Sequence, residues 1–167
     1  MSTRARQPVS KLQSVLGCVA WVGLSLGAGI LGAVVSGPDA WYQSLDKPPW
    51  TPPSWLFGPV WTTLYILMGI AAWLVWEQRH TTRVQSALGL YLGQLALNAA
   101  WSWLFFGLHR PGLAFAELMV LWVAILVTLL VFGRIRRVAA LLLLPYLAWV
   151  TFAGALNGSI WLRNLGG

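Results

Sequence analysis

Two amides and an indole share one face of a single apolar stretch. In GLYLGQLALNAAWSWLFFG, Gln94, Asn98 and Trp101 follow one another at spacings of four and three, and Tyr91, Ser102 and Phe105 extend the same face. An amide in hydrocarbon costs several kcal/mol unless it is hydrogen-bonded, so both must point away from lipid. Such a pair is either an interhelical clamp or the polar anchor of a ligand site. Trp101, one turn from Asn98, adds the stacking surface that a flat aromatic ligand needs.

Three other stretches carry candidates. Trp61, Tyr65, Met68, Ala72 and Trp76 form an aromatic stripe. Trp76 suits the water boundary of a membrane, and Trp61 suits either that boundary or a cavity wall. In LLLLPYLAWVTFAGALNGSIWLRN, Pro145 removes a backbone bond and predicts a kink. Tyr146, Trp149, Ala153, Leu156 and Asn157 follow on one face, and small Ala153 beside Trp149 leaves either a hollow for a planar ring or room for a helix crossing. Glu117 is the one acid inside an apolar stretch. Such an acid is a candidate for function, or it sits one turn into its helix to reach the interface and the positive N-terminus.

The same inventory excludes several chemistries. The sequence offers no pair of acids at catalytic spacing, no nucleotide-binding loop and no Ser-His-Asp or Cys-His set. His80 and His109 fall in loops on opposite sides of the predicted topology, so they cannot together ligate a haem iron. No metal or cofactor is expected. Cys18 stands alone inside an apolar run and reads as a packing residue. A nearly uncharged, aromatic interior suits a planar or apolar ligand.

The elements that must position these residues follow from composition. The chain has 167 residues, 58% hydrophobic and 9% charged, where a soluble domain carries about a quarter charged. Apolar runs at about 16–35, 55–76, 88–106, 113–132 and 138–161 are each roughly 20 residues long, enough for a helix to cross the hydrocarbon core. The expectation is an all-α integral membrane protein, a five-helix bundle filling residues 1–167 as one domain. The first run is too long for a secretory signal core and is read as a helix.

The net charge of +7 is read as topology rather than as a nucleic-acid footprint. Arg4, Arg6, Lys11, Arg79, Arg83, Arg134, Arg136 and Arg137 fall on one side, and Lys47, Arg110 and Arg163 on the other. The positive-inside rule then places the N-terminus in the cytoplasm and the C-terminus outside, in a bacterial cell membrane. Gly23/Gly27 and Gly29/Ala33 in the first run are spaced for close helix packing, within one chain or between two.

Between the first two runs lies LDKPPWTPPSWLFGPVW, residues 45–61, with five prolines and three tryptophans. Pro48, Pro49, Pro52 and Pro53 fix their own φ and hold the preceding residues out of helix, so this segment reads as a stiff strap across the bundle mouth. Lys47 is either a solvated loop lysine or the partner of a ligand carboxylate.

Taken in order, WYQSLDKPPWTPPSWLFGPVWTTLYILMG, GLYLGQLALNAAWSWLFFG and LPYLAWVTFAGALN resemble the TspO/MBR family, the tryptophan-rich sensory proteins and translocator proteins also called peripheral benzodiazepine receptors. The likeness runs from the first span to Asn157. It implies a five-helix bundle, commonly a homodimer, that binds protoporphyrin IX, haem and benzodiazepine-type ligands in a pocket beneath the first loop. A sensing or transport role is implied, and light-dependent porphyrin breakdown is the alternative, in which case Trp61 and Trp149 become the candidate reactive residues. The family's pocket positions fall on Tyr42, Trp50, Trp61, Asn98, Trp101, Ala116, Val120, Trp149, Ala153 and Leu156. Ala116 and Val120 rest on the resemblance alone. The cholesterol motif of animal members requires a tyrosine where this sequence has Gly158, so a sterol is not expected.

Overall fold

The computed structural model describes residues 10–37 and 39–165, and among them the regular structure is entirely helical. Arg4 and Arg6, used in the topology argument, lie outside the described residues. Six α-helices follow one another: α1 (Lys11–Ala33), α2 (Ala40–Ser44), α3 (Ser54–Trp76), α4 (Gln85–Ser102), α5 (Pro111–Ile135) and α6 (Arg137–Arg163). A short 3-10 turn, Glu77–His80, continues α3, and a π-turn, Trp103–Gly107, continues α4.

Four of these helices, α1, α3, α5 and α6, are long and apolar enough to cross a membrane. The five-helix expectation is met to that extent. The α-helical part of α4 has 18 residues and carries Gln85, Gln94, Asn98 and Ser102, which dilute its apolar character. The additional helix, α2, is a five-residue piece just ahead of the strap, in a stretch between the first two apolar runs.

Local chemistry sets the helix ends. Ser10 and Gln13 form a capping box that starts α1, with Ser10 Oγ accepting from Gln13 N at 3.2 Å. Asp39 caps α2 by accepting from Tyr42 N at 2.8 Å. Pro111 opens α5, where its missing N–H is no loss. α3 begins at Ser54, so Pro59 lies in its second turn and cannot donate to the carbonyl of Trp55. At Pro145 α6 continues unbroken.

The five long helices close into a ring in the order α1, α3, α6, α5, α4, each packed on the next and α4 returning to α1. Tyr91, Tyr146, Phe132 and Met68 are fully buried at its centre. Small residues set the close approaches. Gly69 lies against the backbone of Val22, Gly29 against the Tyr65 ring and Gly17 against Trp76, all between α1 and α3. Gly23 and Gly27 face open space, so the packing row of α1 is Gly17, Gly29 and Gly32 rather than the Gly23/Gly27 pair.

Charges gather at the two ends of the ring. At one end Glu77 accepts from Ser14 Oγ at 2.5 Å and pairs with Arg136 at 3.5 Å, while Arg79 lies over the Trp76 ring at 3.3 Å. At the other end Arg163 pairs with Asp46 at 3.4 Å and His109 with Asp39 at 3.2 Å.

Candidate functional site

Beneath the strap the ring encloses a cavity of about 410 Å³. α1, α2, α3, α4 with its π-turn, and α6 supply its walls, and among the described residues no charged side chain lines it. α5 contributes nothing, because it packs outside the cavity against α4 and α6.

The structure brings together seven of the residues named from the sequence. Tyr42 reaches the cavity from α2, Trp61 from α3, Asn98 and Trp101 from α4, and Trp149, Ala153 and Leu156 from α6. The rings are arranged mainly edge to face and offset: Trp61 stacks on Tyr65 at 5.6 Å, Phe57 meets Trp149 at 5.8 Å, and Trp101 stacks on Phe105 at 5.4 Å. Burial pushes the Tyr42 phenol above its ordinary value, so it remains a neutral hydroxyl.

Four named residues stand elsewhere. Trp50 is 48% exposed on the strap, does not line the cavity, and meets the wall residue Phe152 ring to ring at 5.8 Å. Lys47 turns inward on its own strap: Nζ donates to the carbonyls of Tyr42 at 2.6 Å, Leu45 at 3.0 Å and Gln43 at 3.3 Å, and sits 4.8 Å above the Tyr42 ring. All three ammonium hydrogens are thereby used on the end of α2. Ala116 and Val120 are exposed on α5 and do not line the cavity.

The two amides diverge. Asn98 is a clamp: its Oδ1 accepts from the Tyr65 hydroxyl and its Nδ2 donates to the Tyr146 hydroxyl at 3.0 Å, joining α3, α4 and α6. It also lines the cavity, so the clamp and anchor positions coincide. Gln94 is 1% exposed, away from the cavity, and its amide makes no hydrogen bond among the described residues. Asn157 forms a second clamp, accepting from Trp101 Nε1 at 3.0 Å and donating to the Pro111 carbonyl at 2.9 Å. Trp149 Nε1 is buried and has no hydrogen-bond partner among the described residues.

Glu117 departs from the interfacial reading. Both carboxyl oxygens are buried and make no hydrogen bond among the described residues. Neither His80 nor His109 lines the cavity; His109 stacks on Trp41 at 4.2 Å instead, with φ of 53°. The sequence reading missed Phe57, Phe106 and Phe152 as wall residues, and with them the contribution of α1 through Leu26, Gly29, Ile30 and Ala33. The small-residue pattern of α1 signalled close packing but not which side of it faces a void.

The sequence pattern of the TspO/MBR family matches residues 18–162. Protein CrtK of Rhodobacter capsulatus is 44% identical over 141 residues, 83% of this chain and 87% of that protein. The translocator protein of Homo sapiens is 43% identical over 145 residues, 85% of this chain and 86% of that one. The tryptophan-rich protein TspO of Archaeoglobus fulgidus is 39% identical over 155 residues, 90% of this chain and 99% of its own length. With the family pattern covering most of the chain and relatives above 40% identity along most of their length, this protein belongs to the TspO/MBR family.

Proposed function

We propose that this membrane protein is a receptor or carrier for tetrapyrroles such as protoporphyrin IX and haem, and for other planar hydrophobic ligands. The observation that carries this reading is the uncharged cavity walled by Trp61, Trp101, Trp149, Phe57 and Phe105. Its volume of about 410 Å³ lies within the roughly 300–1,000 Å³ of small-molecule sites. Aromatic faces on three sides favour a flat ring held by stacking, and the Asn98 and Asn157 amides orient its polar edge. Haem would be held by the ring faces rather than by an axial histidine.

In this reading α4, extended by its π-turn, is the fifth crossing, and the end carrying Arg79, Arg134, Arg136 and Arg137 faces the cytoplasm. The chain acts as a homodimer, and occupation of the cavity biases the strap or the dimer for sensing or transport.

A light-dependent breakdown of porphyrin is the second reading. Trp61, Tyr65 and Trp149 favour it by placing oxidisable rings along the wall, with Tyr146 packed behind Trp61.

Titration of the detergent-purified protein with protoporphyrin IX, first in the dark and then under light with oxygen, separates the two. Saturable tryptophan quenching with an unchanged porphyrin band supports the receptor. Light-driven loss of that band, abolished in Trp149→Phe, supports the chemistry. Quenching that never saturates overturns both.

A further inference from the structure

The path of α1 leaves the cavity open on one flank. Along its first half α1 is pressed against α3, where an added Cβ at Gly17 or Gly69 would overlap Trp76 or the Val22 backbone. At Gly29 the Tyr65 ring fills the space between them. Beyond that point α1 leans towards α4: Gly32 meets the Ser102 side chain, and Trp103 Nε1 donates to the Leu31 carbonyl at 3.2 Å. On the side it leaves, a Cβ at Gly58 of α3 would meet no atom of the described residues within 4 Å.

Ile30 and Ala33 of α1 and Gly58 and Thr62 of α3 line the cavity and are also exposed on the outside of the bundle. A residue that belongs to both surfaces marks an opening. All four side chains are uncharged. At about 1.5 Å per residue, Gly58 and Thr62 lie roughly 6 and 12 Å below the start of α3, at the depth of acyl chains rather than of water.

The water-facing mouth is fastened instead. At one end of the strap Asn164 clips the Asp46 backbone, accepting from its N–H at 3.1 Å and donating to its carbonyl at 3.0 Å, and Arg163 pairs with the Asp46 carboxylate. Just ahead of the strap, Asp39 pairs with His109, and Trp41 of α2 stacks on the same imidazole. Beyond Asp46, Pro48, Pro49, Pro52 and Pro53 leave the rest of the strap little freedom to open before α3 begins.

We propose that the cavity fills sideways from the bilayer, through the gap between α1 and α3, with the strap serving as a fixed roof. This rests on the binding role above and narrows its ligand class to planar amphiphiles that dissolve in lipid. They enter by their apolar edge and leave polar groups at the strap-side boundary, near Ser36 and Ser54, which line the mouth.

The test is stopped-flow tryptophan quenching by protoporphyrin IX, with the protein in phosphatidylcholine nanodiscs. Gly58→Phe obstructs the gap; its Cβ meets no atom of the described residues within 4 Å, and the glycine has no positive φ to strain a side chain. Thr62→Phe, one turn along, is the second obstruction, and Asn164→Ala unclips the strap. The expected result is association and dissociation both slowed by about tenfold in the obstructed variants, and association within about twofold of wild type in Asn164→Ala. Faster association in Asn164→Ala, with no effect of either obstruction, overturns the proposal and makes the strap the gate.

If wild type shows no saturable quenching, the tetrapyrrole reading fails and the opening is read with phosphatidylcholine brominated in its acyl chains. Quenching of the Trp61 contribution, taken as wild type minus Trp61→Phe, that Gly58→Phe relieves supports the opening. No such quenching overturns it.

Discussion

Asn98 donates from Nδ2 to the Tyr146 hydroxyl at 3.0 Å, and through Oδ1 it accepts from Tyr65, so one amide ties α4 to both α3 and α6 at the cavity floor. Asn98 is 4% exposed and both tyrosines are buried, so removing the amide orphans two phenols as well as losing two bonds. Asn98→Ala is therefore expected to cost about 2 to 4 kcal/mol, and Tyr146→Phe about 1 kcal/mol. Thermal unfolding in detergent checks this. A melting point equal to that of the wild type in Asn98→Ala would mean that the clamp carries no weight.

The α1–α3 contact has room for no side chain at Gly69 and ample room at Gly27. A methyl at Gly69 runs into the Val22 backbone, which cannot rotate away, so Gly69→Ala should destabilise by about 1 to 3 kcal/mol. Gly27→Ala meets nothing within 4 Å and should stay within about 0.5 kcal/mol of wild type. Equal melting of the two variants would contradict the packing described for α1.

Ligand affinity separates the cavity wall from the outer face of α5. Trp149→Ala removes a wall ring that faces Phe57 and Phe152, and protoporphyrin IX should bind about 10- to 100-fold more weakly, equivalent to roughly 1.4 to 2.8 kcal/mol. Val120 is 58% exposed on α5, and Val120→Ala should bind as the wild type does. A titration by tryptophan quenching measures both, and a loss at Val120 matching that at Trp149 would refute the wall as drawn.

Lys47 holds the strap from within by donating to three carbonyls at the end of α2. Lys47→Met keeps the length of the side chain and removes all three bonds, so the strap should open locally while the helices stay folded. Proteolytic cleavage within residues 45–53 is expected to quicken by about threefold or more, with unchanged helix content by circular dichroism. Unchanged cleavage would place the stiffness of the strap in its prolines alone.

The class of the protein and most of its parts are legible in the order of its residues. Apolar runs interrupted by charge define where helices begin and end, because hydrocarbon forces backbone groups to pair within each helix. Thus α3, α5 and α6 match their predicted spans closely, and Trp61, Asn98, Trp101, Trp149 and Ala153 were legible as one-face residues at helical spacing. Family membership was equally legible, carried by three separated segments.

Which side of each helix meets a neighbour and which meets a void is settled by packing alone. Periodicity defines a face but not its partner. Gln94 and Asn98 share a face by spacing, yet one lines the cavity and the other is buried apart from it. Lys47 looked outward in sequence and folds back, because the carbonyls left at the end of α2 are its nearest acceptors. Ala116 and Val120 fall outside the cavity because α5 closes the ring from behind. The gap beside Gly58 exists only because α1 leans from α3 to α4 along its length, and a crossing angle is a property of two packed surfaces that no single helix encodes.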